Sequence, residues 1–131
     1  MVEPGRVQER RPAGLLRVPF VRRCLMDFDD GASSSAFLVN INVLGAYLAV
    51  DKEKMPSLGQ AVMCHFNLPD SEREVVARGV VAWLNPRQQH PVHSLPPGIG
   101  VKFLQISPED QGRIERLVEE YVSRQTRGRT D

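Results

Sequence analysis

Short apolar segments with alternating side chains, separated by turn-forming residues, constrain the fold of this chain more than any other sequence feature. Within residues 60–68, apolar side chains recur at every second position, as Val62, Cys64, Phe66 and Leu68. Successive side chains of a strand point to opposite faces, so this pattern is typical of a half-buried antiparallel strand. Turn compositions such as "DDGASSS", "KEKMPS" and "PDSER" separate the apolar segments. The chain is therefore predicted to be a succession of strands.

The same pattern predicts about six strands. They cover residues 20–28, 36–42, 46–51, 60–68, 75–84 and 99–105. This regular succession favours an all-β barrel or sandwich. Within residues 36–42, strict alternation places Phe37, Val39 and Ile41 on one face and both Asn40 and Asn42 on the other.

The C-terminal end of the chain, from Ser107 onward, has a different periodicity. Ser107 is predicted as a helix N-cap, with Pro108 at the first helical position and acidic residues in the first turn. An apolar stripe at helical spacing follows, made by Ile114, Leu117, Val118 and Tyr121. We therefore expect a flexible basic arm over residues 1–16, a barrel with one C-terminal helix over 17–124, and a frayed tail over 125–131.

Composition limits the classes of function. The 131 residues carry a formal net charge of +1, which gives no global field for a nucleic acid polymer or an acidic membrane. Two cysteines are too few for a disulfide framework, and no segment is long and apolar enough to insert into a membrane. We expect a cytoplasmic protein without a cofactor.

Catalytic and metal sites receive little support from the sequence. The chain has no nucleophile elbow, P-loop or dinucleotide-binding motif, so no catalytic residue is predicted and an enzyme is not expected. His90 and His93 stand in a Pro-rich loop without a nearby Cys or carboxylate in sequence, so no metal ligand is predicted either. Asp27, Asp29 and Asp30 precede a glycine-serine turn and are interpreted as turn-forming residues.

Two polar features remain as candidates for a ligand site. The arm contains Arg10 and Arg11 and is followed by Arg17, with no lysine among them. A planar guanidinium group pairs bidentately with phosphate oxygens or with guanine O6 and N7. The strand that carries Asn40 and Asn42 is followed by Gly45. In one interpretation these residues only shape a hairpin, with Gly45 supplying a positive φ. In the other, they form a polar surface beside the arm that binds a ligand.

The order of three motifs resembles the PilZ domain, the bacterial receptor module for the second messenger cyclic di-GMP. The matching segments are "RVPF" at 17–20, "NINVLG" at 40–45 and "GIGVKFLQISPEDQGRIERLV" at 98–118. The family motifs are RxxxR before the first strand and [D/N]xSxxG in the strand and turn that follow. The resemblance extends from about residue 10 to residue 122. It implies a six-stranded antiparallel PilZ-type β-barrel with a C-terminal α-helix.

The resemblance also implies a ligand site for cyclic di-GMP. Arg17 falls on the second arginine of RxxxR, Asn40 on the [D/N] position, Asn42 on the serine and Gly45 on the glycine. In the family, these arginines grip guanine and phosphate. Two departures are present, because Asn42 replaces the serine and position 13, where the first arginine would stand, is alanine.

Further candidates complete the predicted site. Arg10 and Arg11 are the nearest arginines that could replace the missing one. Trp83, the single tryptophan, shares a face with Ala77 and Val81 by alternation, and is interpreted either as a core or barrel-rim residue or as a guanine-stacking platform.

Three functions remain open at this point. The first is a cyclic di-GMP receptor in which binding orders the arm and creates a surface for a protein partner of unknown identity. The second is a ligand-independent PilZ adaptor in pilus, motility or related signalling. The third, a barrel that binds single-stranded nucleic acid, is disfavoured by the near-neutral charge and the few aromatic residues.

Overall fold

Six antiparallel strands close into a barrel, and one helix follows them. The computed structural model describes residues 17–69, 73–86 and 95–129. The strands are β1 (Val18–Phe28), β2 (Ser33–Asn42), β3 (Gly45–Ala49), β4 (Ala61–Asn67), β5 (Glu74–Asn85) and β6 (Gly98–Ile106), with helix α1 at Pro108–Arg129. A short 3-10 turn spans Lys52–Lys54, and the strand order around the barrel is β1-β2-β3-β6-β5-β4. This confirms the predicted six-stranded barrel with a C-terminal helix.

The predicted alternation holds along β4. Val62, Cys64, Phe66 and the following Leu68 are all buried in the core. Inside the barrel, a contact with Cys24 and burial raise the pKa of the Cys64 thiol well above its usual range. Cys64 is therefore a neutral core residue, as the sequence predicted.

Helix α1 begins as predicted. The Ser107 side-chain oxygen accepts a hydrogen bond from the Asp110 backbone N–H at 3.1 Å. Ile114 and Val118 are buried in the core, and Leu117 and Tyr121 pack against it, which confirms the apolar stripe. The helix continues to Arg129, so it includes part of the segment predicted as tail. The predicted arm, residues 1–16, lies outside the described residues.

An ionic cluster fixes the start of the helix to the barrel. Asp110 accepts a hydrogen bond of 3.0 Å from Arg73 and another of 3.0 Å from Arg113. Arg73 also pairs with Glu109 at 2.9 Å. Asp110 and Arg113 are both buried, so each of these charges requires the other as a partner.

Strand β2 departs from strict alternation. Its pairing with β3 shifts between Leu38 and Asn40, which marks a β-bulge. Ala36, Leu38 and Ile41 are buried, whereas Phe37 is exposed. The prediction that Phe37 and Ile41 share a face is therefore wrong, because the bulge reverses which side chains point inward.

Asp27 joins three strands on the outside of the barrel. Its carboxylate accepts a hydrogen bond from the Ser33 hydroxyl at 2.7 Å and lies 2.9 Å from Nε2 of His65. The Ser33 hydrogen bond, followed by the interaction with His65, lowers the pKa of Asp27. Of the three acidic residues predicted to form a turn, Asp29 and Asp30 do so, and the Asp30 side chain accepts a hydrogen bond from the Ala32 backbone N–H at 2.9 Å.

The lowered pKa of Asp27 predicts acid sensitivity. A carboxyl group whose pKa is lower when folded stabilises the protein above the pKa of the unfolded chain, about 3.9. This stabilisation is lost as the pH falls through the folded pKa, so Asp27→Asn is expected to be less sensitive to acid than wild type below about pH 4. Urea unfolding midpoints at pH 7, 4 and 3 measure the effect. Asp29→Asn is the control, since no hydrogen bond of Asp29 is seen among the described residues. An unchanged acid dependence in Asp27→Asn would contradict the assignment.

Candidate functional site

A groove of about 670 Å³ lies on the outer surface of the barrel, which is a volume typical of small-molecule sites. It is lined by Arg17, Asn40, Leu44, Tyr47, Ala82, Trp83, Leu95, Gly100, Val101 and Lys102. The lining found in the described residues contains two cations and no carboxylate. The groove therefore offers a positive environment although the whole chain is nearly neutral.

Strand pairing explains why residues distant in sequence meet in this groove. Asn40 pairs with Tyr47, Tyr47 pairs with Gly100, and Gly100 pairs with Trp83. Cross-strand partners lie side by side on one face of a sheet. One row across β2, β3, β6 and β5 thus supplies the floor and one wall of the groove.

Arg17 and Asn40 form one side of the groove. Nη1 of Arg17 donates a long hydrogen bond of 3.4 Å to Oδ1 of Asn40. Although much of the Arg17 side chain is exposed, partial desolvation lowers the pKa of its guanidinium group, which remains a cation at neutral pH. The structure brings these two predicted residues together, with guanidinium donors available at the mouth of the groove.

Asn42 lies in a different environment from Asn40. Its side chain is only 3% exposed. Oδ1 of Asn42 accepts hydrogen bonds from the backbone N–H groups of Leu44 at 2.8 Å and Gly45 at 3.1 Å. This arrangement shapes the turn between β2 and β3. The expectation that both asparagines project outward as a polar platform is therefore wrong for Asn42.

Gly45 is required by a close approach of two backbones. Its φ is not positive, because Gly31 and Gly59 are the glycines with positive φ in the described residues. A Cβ atom at Gly45 would overlap the carbonyl oxygen of Val101 on the neighbouring strand. The interpretation that Gly45 supplies a positive φ is wrong, and its function here is to let β3 and β6 pair.

Trp83 forms the wall opposite Arg17 and Asn40. The pairing of β5 with β6 shifts between Val81 and Trp83, and this bulge turns the indole outward. Trp83 is 49% exposed, whereas Ala77 and Val81 are buried, so the predicted shared face is wrong. An exposed indole beside a positive groove fits the alternative interpretation, a surface for stacking a base.

Tyr47 supports Trp83 from below and was not predicted from the sequence. The two ring centroids are 5.6 Å apart with an interplanar angle of 48°. The Tyr47 hydroxyl donates to the Pro96 carbonyl oxygen at 2.5 Å and accepts from Nδ2 of Asn85 at 3.0 Å. Burial raises the pKa of Tyr47, which keeps this hydroxyl protonated as a donor.

Gly100 and Lys102 are further groove residues that sequence analysis missed. A Cβ atom at Gly100 would lie 3.2 Å from Cβ and 3.4 Å from Cε3 of Trp83. The glycine therefore leaves room for the indole above the floor. The alternation of glycines in "GIGVKF" before a cation was the available signal.

Several predicted positions lie outside the described residues, namely Arg10, Arg11, His90 and His93. Within the part of the chain that the structure describes, no group of three or more His, Cys, Asp or Glu residues could hold a metal ion. No helix formed by described residues is long and apolar enough to cross a membrane.

Comparison with known proteins identifies relatives of this architecture. A family model described as the PilZ domain matches residues 6–120. Among solved structures, the chain is similar to the inhibitor of motility MotI/DgrA from Bacillus subtilis, with a TM-score of 0.69 and 18% sequence identity. The match covers 93% of this chain and 54% of that one, so this chain spans about half its length. At this identity the likeness concerns the fold. No curated protein sequence matches the chain.

Proposed function

The chain belongs to the PilZ domain family, and from this premise we propose that it is a receptor for cyclic di-GMP. PilZ domains are receptor and adaptor domains, which accords with a chain whose sequence contains no catalytic motif. The observation that carries the proposal is the groove in which the Arg17–Asn40 pair faces Trp83. Arginine and tryptophan together recognise a guanine nucleotide by charge, hydrogen bonding and stacking.

Each side of the groove has a chemical role in this proposal. Arg17 contacts a phosphate or the O6 and N7 edge of a guanine, and Asn40 orients its guanidinium group. Trp83 stacks on a base, a contact that contributes about 1–3 kcal/mol where such stacking occurs. Asn42 acts indirectly, because its Oδ1 holds the turn that contains Leu44 and Gly45.

In the proposed receptor, the N-terminal arm transmits the signal to a protein partner. Arg10 and Arg11 supply additional guanidinium groups to the ligand, and binding orders residues 1–16. Ordering costs about 1–2 kcal/mol for each backbone residue that is fixed, and the ligand contacts offset this cost. The ordered arm then presents a new surface to a protein partner, so ligand binding shifts a population instead of driving a reaction.

Titration of the full chain with cyclic di-GMP tests the proposal. Calorimetry is expected to give a dissociation constant in the micromolar range or below. The fluorescence of Trp83, the only tryptophan, is expected to change in parallel, because the ligand covers its indole. Cyclic di-AMP is the control, since adenine presents an amino donor where guanine presents the O6 acceptor. Absence of both heat and fluorescence change at millimolar ligand would contradict the proposal.

A second candidate function is a PilZ adaptor that works without the ligand. It is favoured by Ala13 at the position of a family arginine and by Asn42, whose Oδ1 is engaged in the turn. A protein partner would then be retained in cells that lack cyclic di-GMP and by the Arg17→Ala variant. Loss of the partner in both conditions would instead favour the receptor.

A further inference from the structure

Lys102 is an exposed cation that lines the groove. Its side chain lines the groove together with Arg17. Within the described residues, no hydrogen bond or ion pair of the Lys102 side chain is found. By contrast, Arg17 is already hydrogen-bonded to Asn40. The Lys102 ammonium group is thus free to bind a ligand in this part of the molecule.

Arg17 directly precedes β1 and Lys102 lies on β6, so β2 and β3 stand between the two residues around the barrel. Lys102 pairs with Gly45 on β3 and with Val80 on β5. Its strand, β6, is separated from β2, which carries Asn40, by β3 alone. The three strand spacings from β1 to β6 correspond to about 14 Å between backbones along the sheet, so the two cations belong to well-separated strands.

Two glycines are neighbours of Lys102 in the sheet, and one of them, Gly100, lines the groove. Gly45 is the cross-strand neighbour of Lys102, and Gly100 is the residue two positions before it on the same strand. Neither contributes a side chain that would shield the ammonium group. Trp83 rises above Gly100, so the lysine and the indole border the same open floor.

We propose that Lys102 binds a phosphate group of the nucleotide, opposite the phosphate or guanine edge bound by Arg17. This assignment rests on the proposed function. An ammonium group suits this position because it is a compact point charge with three rotatable donors and needs no fixed approach geometry. The arrangement gives the groove a second cation independent of the arm, which offsets the missing family arginine at position 13.

Lysine labelling of the wild-type chain tests this assignment directly. Lys52, Lys54 and Lys102 are the lysines of the chain, so mass spectrometry can follow each one. Saturating cyclic di-GMP is expected to slow acetylation of Lys102 at least about threefold, because a phosphate contact withdraws the amine from the reagent. Lys52 and Lys54, which do not line this groove, are internal controls. Equal labelling of all three while calorimetry shows binding would overturn the assignment of Lys102 and leave the receptor function standing.

Variants provide a second measurement. Lys102→Gln is expected to weaken binding by about three- to tenfold and to reduce its dependence on salt, since one exposed charged contact is removed. Lys52→Gln is expected to bind like wild type. Full affinity in Lys102→Gln would overturn the assignment. If wild type itself fails to bind cyclic di-GMP, both the receptor function and the phosphate contact of Lys102 are wrong.

Discussion

Arg17→Ala is expected to bind cyclic di-GMP about ten- to a hundredfold more weakly than wild type. A hydrogen bond to a charged group contributes about 1.5–3 kcal/mol, and each 1.4 kcal/mol corresponds to a factor of ten in affinity. The loss is expected to be large because Arg17 is the one arginine in the described lining of the groove. Calorimetric titration of both proteins in the same buffer measures the difference.

Two further variants separate charge and geometry from nonspecific effects. Arg17→Lys keeps the charge but loses the planar fork, so we expect an intermediate affinity if guanine or phosphate is bound bidentately. Arg78→Ala removes an exposed arginine that lies outside the groove and is expected to bind like wild type. Equal weakening in Arg78→Ala would show that the effect is only overall electrostatic attraction. Unchanged affinity in Arg17→Ala would remove Arg17 from the site.

Gly45→Ala is expected to destabilise the barrel by about 3 kcal/mol or more, because overpacking against a rigid backbone has few ways to relax. The added Cβ would overlap the carbonyl oxygen of Val101 and lie 3.3 Å from Cα of Lys102. Strands β3 and β6 would have to separate at this point, which would weaken their pairing. Denaturant unfolding of the variant and of wild type measures the change.

Gly112→Ala is the matched control for this substitution. Gly112 lies in helix α1, and an added Cβ would meet only Nη1 of Arg116 at 3.7 Å. Alanine in a helix is favoured over glycine by about 0.5–1 kcal/mol, so Gly112→Ala is expected to raise the free energy of unfolding. Stability of Gly45→Ala within 1 kcal/mol of wild type would contradict the close approach of β3 and β6.

Local sequence patterns were sufficient for the secondary structure. Each of the six predicted strands and the helix is present, with ends that differ by a few residues. This success has a physical basis, because burial on one side of a strand imposes a period of two and burial on one side of a helix imposes a period near four. The N-cap at Ser107 was similarly readable, since capping depends on residues adjacent in sequence.

The candidate site was less predictable than the fold. Arg17 and Asn40 were found through the resemblance to family motifs, and the structure places them in contact. Tyr47 and Lys102 were not found, because their positions depend on which strands pair. Asn42 was predicted to project outward but is buried. Its sequence position does not show that its Oδ1 accepts hydrogen bonds from nearby backbone N–H groups.

The strands, the helix and most of the residues that fill the core could be predicted without a structure, because they follow from the local alternation of apolar and polar side chains. The directions in which Phe37 and Trp83 face required the tertiary structure, since a bulge in each of their strands reverses the alternation. The tertiary structure also decided the need for Gly45, because a clash across strands depends on how closely β3 and β6 approach. Because the barrel closes in the order β1-β2-β3-β6-β5-β4, β3 lies beside β6, and residues from distant parts of the sequence come together in the groove.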